Sequence, residues 1–254
     1  MKSIYNITGI ILSIFLTSMQ SNAATLVETE ESDAGVQKMW IEGSKMRVEM
    51  GQGKEYMLAD YTNNKILIVD PDKKEIMDVS HFASGGKDAT QGLNVRVQHL
   101  GAGPTIAGYA TQKYAMSVNG RTCNQTLVSP KALKDANLSN LLEAIAQVDF
   151  NPMGAQFMDE CDRADIQFAK RMKKLGMPLA TIEKNGQMTN KVKRIVKNAV
   201  LPAGGFNLPK GYRQVSMQDK MQEAMGAAMQ GSKGGQMTPE MKKMMQDMMR
   251  QQGQ

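Results

Sequence analysis

The chain has 254 residues, with 31 Lys and Arg against 25 Asp and Glu, two Cys and two His. That length fits one large or two small domains at ~100–200 residues each. A hydrophobic fraction of 41% with 22% charged residues is near the globular average, which argues against wholesale disorder and against a polytopic membrane protein, and two His with two Cys leave little for a zinc site or a thiol–imidazole pair.

Met1 and Lys2 open the chain with a positive charge. Residues 7–16 form an apolar run broken by Thr8, Gly9 and Ser13, and Ser21-Asn22-Ala23 supplies small residues before a cleavage point after Ala23. This is the layout of a secretory signal peptide, whereas a spanning helix needs ~20 apolar residues. The expectation is a signal peptide over 1–23 and a soluble periplasmic product. No Cys follows the apolar run, so a lipid anchor is not expected.

Residues 36–80 read as a meander of strands at 36–41, 45–50, 55–61, 65–69 and 75–80. Turn residues separate them: Gly43-Ser44, Gly51-Gln52-Gly53, Asn63-Asn64 and Asp70-Pro71-Asp72. In the second strand Met46, Val48 and Met50 alternate with Lys45, Arg47 and Glu49. Strands at ~10-residue spacing predict an antiparallel barrel or sandwich. A loop at Gly85-Gly86 precedes a sixth strand at 93–100. Runs at 106–118 and 121–128 flank Asn119-Gly120, a type I′ hairpin signal because both central residues need φ > 0. Asn185-Gly186 repeats that signal between 179–183 and 188–200. Val192, Ile195, Val196 and Ala199 also fit a helical stripe, but the preceding turn favours a strand with Lys191, Lys193 and Lys197 on one face.

Between the hairpins the period changes. Leu138, Leu141, Leu142, Ile145 and Val148 mark an amphipathic helix stopped by Asn151-Pro152. Phe157, Cys161, Phe168 and Met172 mark a second helix over 154–175, with Arg171, Lys173 and Lys174 in its last turn, where cations complement the helix dipole. Strands, helices, then strands again fit a curved sheet whose concave face is covered by inserted helices.

The run "MWIEGSKMRVEMGQGKEYMLADYTNNKILIVDPDKKEIMDVS" resembles the opening sheet of bacterial exported proteins related to the Lol lipoprotein carriers. "IAGYATQKYAMSVNG" and "PLATIEKNGQMTNKVKRIVKNAVLPAGGFNLPKGY" are similar to later strands of uncharacterised relatives in that superfamily. The resemblance covers residues 24–215 and implies a mainly β (α+β) fold: an unclosed antiparallel β-barrel with helices as a lid over a hydrophobic cavity. In the carriers that cavity receives acyl chains. The carriers' ligand-contacting motif is not recognised here, so the resemblance implies a hydrophobic-ligand role rather than carrier activity. Trp40 and Tyr61 lie on strands able to line such a cavity.

Export puts Cys123 and Cys161 in an oxidising compartment. They are the only pair, without CxxC spacing or a neighbouring His, so a structural disulfide is expected. Charge is unevenly placed. Residues 24–80 hold 7 basic and 12 acidic groups, while residues 163–213 hold 12 basic and 2 acidic ones, among them Lys170, Arg171, Lys173, Lys174, Lys191, Lys193, Arg194 and Lys197. Such a region is either a solvated face or a surface for anionic lipid. Sparse aromatics and export argue against nucleic acid.

Gly101-Ala102-Gly103-Pro104 lacks the Lys-Ser/Thr of a phosphate loop, Ser129-Pro130 lacks a nucleophile-elbow context, and His81 and His99 have no companion at ligand spacing. Asn124-Gln125-Thr126 matches a glycosylation sequon. No constellation supports catalysis, so neither an enzyme nor a cofactor is expected.

The tail, residues 216–254, is methionine-rich. Met217, Met221, Met225 and Met229 are spaced by four, as are Met237, Met241, Met245 and Met249, which puts each set on one helical face. Thr238-Pro239-Glu240 is a helix-start signal. Thioethers suit changeable apolar surfaces and are soft ligands for Cu(I). Two readings follow. The first is a periplasmic binding protein for a hydrophobic or lipidic ligand, its partners a lipid or lipoprotein, or an envelope protein or membrane surface reached through region 163–213 and the tail. The second is soft-metal binding through Met241, Met244, Met245, Met248 and Met249.

Overall fold

The computed structural model describes residues 24–31, 35–49, 54–80, 92–146, 159–216 and the helical positions 219, 220 and 223. The signal-peptide expectation over 1–23 and the metal expectation at Met241, Met244, Met245, Met248 and Met249 lie outside the described residues.

The expected meander forms: β2 (Gly35–Glu42), β3 (Lys45–Glu49), β4 (Tyr56–Asp60), β5 (Lys65–Asp70) and β6 (Glu75–Asp78). A strand the sequence reading lacks precedes it, β1 (Ala24–Glu31). Its acidic alternation looks loop-like in isolation, and its partner is remote. β1 pairs with β12 (Lys191–Ala199), where Arg194 bonds Glu28 at 2.5 and 2.8 Å and Lys193 bonds Glu30 at 2.9 Å. The Arg194 hydrogen bonds hold the Glu28 carboxyl below the usual glutamate range.

The second half opens with β7 (Val95–Ile106), β8 (Tyr109–Val118) and β9 (Arg121–Ser129). The expected single run over 106–118 is corrected: Ala107 (φ 49°) and Gly108 (φ 81°) make a second tight hairpin beside that of Asn119 (φ 51°) and Gly120 (φ 83°). Among the described residues three helices follow: α1 (Pro130–Asp135), α2 (Ser139–Ala146) and α3 (Glu160–Leu175). Ser129-Pro130 is the start of α1, with the Ser129 hydroxyl accepting from the Ala132 N–H and Pro at the first helical position. Asp159 and Asp162 form a reciprocal capping box on α3. The chain returns through β10 (Met177–Ile182), β11 (Met188–Thr189) and β12, and ends its sheet path in β13 (Arg213–Val215). Asn185-Gly186 does not form a type I′ turn. Only Gly186 is left-handed, and Asn185 instead accepts from the Gln187 N–H at 2.9 Å.

Two sheets result, one of eight strands in the order β12-β1-β2-β3-β4-β5-β6-β13 and one of five in the order β11-β10-β9-β8-β7. The fold is mainly β and the eight-stranded sheet is unclosed, since its edges β12 and β13 do not pair with each other. Two features refine the expectation of one antiparallel sheet. A separate second sheet forms, and β13 lies parallel to β6. The helices also divide differently than expected. α1 and α2 cover the inner face of the large sheet, where Leu133, Leu138, Leu141 and Leu142 join Val27, Ile41, Met46, Val48 and Ala59, with Leu127 and Leu179 from the second sheet. α3 instead covers the second sheet, where Ala164 and Phe168 pack on Met116, Val118, Cys123 and Val128.

Candidate functional site

Strand register decides what the concave, inner face presents. Ile195, Val27, Met39, Val48, Met57, Ile68, Met77 and Val215 are successive cross-strand partners, one from each strand of the large sheet. Side chains directly opposite one another on paired strands share a face, so this is one unbroken apolar row. The neighbouring inner row, Ile41, Met46, Ala59 and Ile66, lies under α2 and is buried up to Ala59. On the other side come Thr29, Gln37, Asp70, Glu75 and Arg213, a polar border. Val27 and Val48 are buried, whereas Met57, Ile68 and Met77 are only half-buried. At ~4.8 Å per strand the open stretch from Met57 to Met77 is ~10 Å across.

The space between α2 and the sheet is filled by side chains rather than left as the expected apolar cavity. Two depressions lie elsewhere on the large sheet. A cleft of about 590 Å³ is lined by polar Ser44, Thr62, Asn64, Asn140 and Glu143 with Tyr61, whose phenol is raised by burial. A smaller one of about 200 Å³ lies on the opposite face among Lys45, Leu58, Asp60, Lys65, Phe206 and Leu208. The cleft is lined mainly by polar side chains, and the smaller depression sets Leu58, Ala59, Leu67, Phe206 and Leu208 among Lys45, Asp60, Asn63 and Lys65 in too small a volume for a lipid-sized molecule, so the half-buried row is the better candidate surface.

Trp40, on a strand able to line a cavity, faces away from the inner side. Its row, with Leu26, Arg47, Leu58 and Leu67, is on the outer face. There residues 200–212 cross the sheet as a strap. The Trp40 Nε1–H donates to the Val200 carbonyl at 3.1 Å, and Arg47 Nη1 donates to the carbonyls of Ala203 (3.3 Å) and Gly205 (3.0 Å). Tyr212 closes the strap over Tyr56, Leu58, Leu67, Val69 and Ile76. The strap thus carries the chain from the β12 edge to the β13 edge.

At that far edge a charged cluster forms. Glu75, 6% exposed, accepts from Arg213 and from Lys220, and both cations also reach Glu223, at 3.3 and 3.0 Å. Hydrogen bonds from Lys220 first, then Arg213, hold the Glu75 carboxyl below its ordinary range.

The basic region is partly neutralised. Lys173 pairs with Glu143, Lys193 with Glu30, Arg194 with Glu28, Lys197 with Asp135 and Arg213 with Glu75. The charge asymmetry along the sequence is therefore in part a matched set of structural ion pairs. Cys123 and Cys161 form a disulfide with a Cα–Cα distance of 5.5 Å, tying β9 to α3. The sequon residue Asn124 is taken up by the fold, donating to Asp165 on α3 at 3.3 Å. His99 bonds Gln112 at 2.8 Å and packs against Tyr114. Among the described residues no group of three or more His, Cys, Asp or Glu is placed to hold a metal, and no helix is long and apolar enough to cross a membrane.

Residues 23–212 match the domain of unknown function DUF4412. The chain belongs to the DUF4412 family. The DUF4412 span runs through both sheets, the helices and the strap, and stops before β13, the Glu75-bound cations and the Met-rich tail. No curated protein matches the chain at a significant level. Among solved structures it is similar to the MucA/MucB complex of Pseudomonas aeruginosa, at 10% identity and a TM-score of 0.35 over 76% of this chain and 57% of that one. It is likewise similar to MucB in complex with periplasmic MucA, at 9% identity and a TM-score of 0.34 over 76% and 56%. The chain spans a little over half the length of those structures. The sequence reading missed Met57, Ile68 and Met77 as a group. Alternation on each strand signals them, but only the register aligns them.

Proposed function

We propose that this protein is an exported, non-catalytic binding protein that holds a hydrophobic or lipidic ligand against the concave face of its eight-stranded sheet. One observation carries the reading: an apolar row spans all eight strands, and its stretch at Met57, Ile68 and Met77 stays half-buried beside a polar border. A strip of that width suits an extended acyl chain, with the border toward a polar headgroup. The leader-like residues 1–23 support export. The resemblance to lipoprotein carriers points to the same ligand class.

Native mass spectrometry of the full chain purified from its own envelope tests this. Lipid-mass adducts are expected, together with binding of a fluorescent fatty acid that phospholipid displaces. Met57→Lys and Ile68→Lys should abolish probe binding and leave the circular dichroism spectrum intact. Neither adduct nor probe binding, or a co-purifying protein in place of lipid, overturns the lipid reading. The same spectrum reports copper, the soft-metal alternative raised by the cluster at Met244, Met245, Met248 and Met249.

A further inference from the structure

Past Tyr212 the chain rounds the sheet edge and turns onto the concave side. Val215 pairs with Met77 and is buried, so it completes the apolar row on its last strand. Ser216 then starts a helix. Its hydroxyl accepts from the Asp219 N–H at 3.0 Å, while its own N–H donates to Asp219 Oδ2 at 2.8 Å. Residues 219, 220 and 223 are helical. Lys220 from this first turn reaches Glu75, which lies two residues before Met77 on β6 and so shares its face. A buried carboxylate bound by Arg213 and Lys220 therefore pins the start of the tail beside the open end of the row. The residues that follow carry Met225 and Met229, continuing the spacing of Met217 and Met221.

We propose that the C-terminal segment after Glu223, led by Met225 and Met229, docks on the Met57–Ile68–Met77 stretch of its own chain and competes there with an apolar ligand. The proposal rests on the reading of that row as a binding surface and adds its regulation. Three observations select this occupant. The described chain ends at Glu223, whose carboxylate shares Arg213 and Lys220 with Glu75 beside the end of the row. The open stretch is ~10 Å across, and the 31 residues that follow Glu223 are more than enough chain to span it. Its side chains include the thioethers of Met57 and Met77, which pack against further thioethers without demanding one fixed geometry.

The test uses the full chain and two variants: Met225→Asp with Met229→Asp, which places charge in the stripe, and Glu75→Gln, which loosens the anchor and leaves the methionines intact. Peptide mapping after dilute peroxide reads the oxidation rates of Met57 and Met77, and the fluorescent fatty acid reads the open surface. Both the oxidation rates and the probe affinity should rise about tenfold in the aspartate variant, as for a surface open about a tenth of the time in the parent, and in the same direction in Glu75→Gln. Unchanged oxidation of Met57 and Met77 in the aspartate variant overturns the docking. Protection that grows with protein concentration assigns the occupant to a second copy and overturns it as well. Faster oxidation with no probe binding in any form supports the docking and removes the ligand reading, so the two fail separately.

Discussion

The guanidinium of Arg47 lies 3.8 Å over the ring of Tyr56, on the outer face of the sheet. Arg47 is 6% exposed, its Nε has no partner among the described residues, and its Nη1 holds two carbonyls of the strap. Arg47→Ala leaves those carbonyls unmet and should destabilise by about 2–3 kcal/mol. Hydrogen exchange at residues 203–206 should quicken well beyond the rest of the chain. Arg47→Lys should recover little, because an ammonium lacks the planar fork that stacks and bridges at once.

Gly176 ends α3 with φ 127°, and a Cβ there would sit 2.5 Å from the Ser129 carbonyl carbon and 2.6 Å from the Pro130 nitrogen. The site joins the end of α3 to the start of α1, both backbone. Gly176→Ala should lower stability by about 1–3 kcal/mol from the dihedral alone, with the clash added. A shifted urea midpoint checks it, with Gly186→Ala, open on all sides, as the milder comparison.

The Cys123–Cys161 bridge closes a separation of 38 residues that contains α1 and α2. Replacing both by Ser should reduce stability by about 3–4 kcal/mol in the chain-entropy view. Because Ala164 and Phe168 still pack on the second sheet, α3 should stay docked. Far-ultraviolet dichroism should change little while the denaturation midpoint falls.

Glu75 gives a pH signature. Its carboxyl is held below the ordinary glutamate range by Lys220 and Arg213. A depressed folded value means the unfolded chain takes up the proton first. The contribution is thus complete above the ordinary range and lost as pH falls through the depressed folded value. The stability difference between the parent and Glu75→Gln, measured by urea unfolding across acidic pH, should be constant near neutrality and shrink in acid. A difference that does not vary with pH would sink the assignment.

The meander of β2 to β6 was legible because each strand alternates and each turn carries Gly, Asn, Asp or Pro. β1 was not, because Glu28, Glu30 and Glu31 read as solvent-facing until Arg194 and Lys193 arrive from the far end of the domain. The turn at Ala107-Gly108 was hidden because Ala seldom takes positive φ. The start of α1 was present in Ser129-Pro130 and calls for no tertiary information. For the candidate surface, alternation on β3 separated Met46 and Val48 from Arg47 but not inside from outside. Two covered faces make the missing distinction: Met46 under α2, Arg47 under the strap. Sequence patterns carry strand faces. Which face becomes a binding surface depends on what chain later lies over it.

The placement of β1 between β2 and β12 also orders events in time. β1 pairs with β2 through the short link between Glu31 and Gly35, but its other edge waits for Val192, Ile195 and Val196. Until those residues emerge, a strand carrying Glu28 and Glu30 offers unpaired amides and carbonyls to any neighbour, and its acidic side chains repel like copies of itself. Such long-range closure belongs to the slower folders, in the millisecond-to-second range. The carboxylates that end as ion-pair partners of Arg194 and Lys193 thus serve earlier as a guard on an unfinished edge.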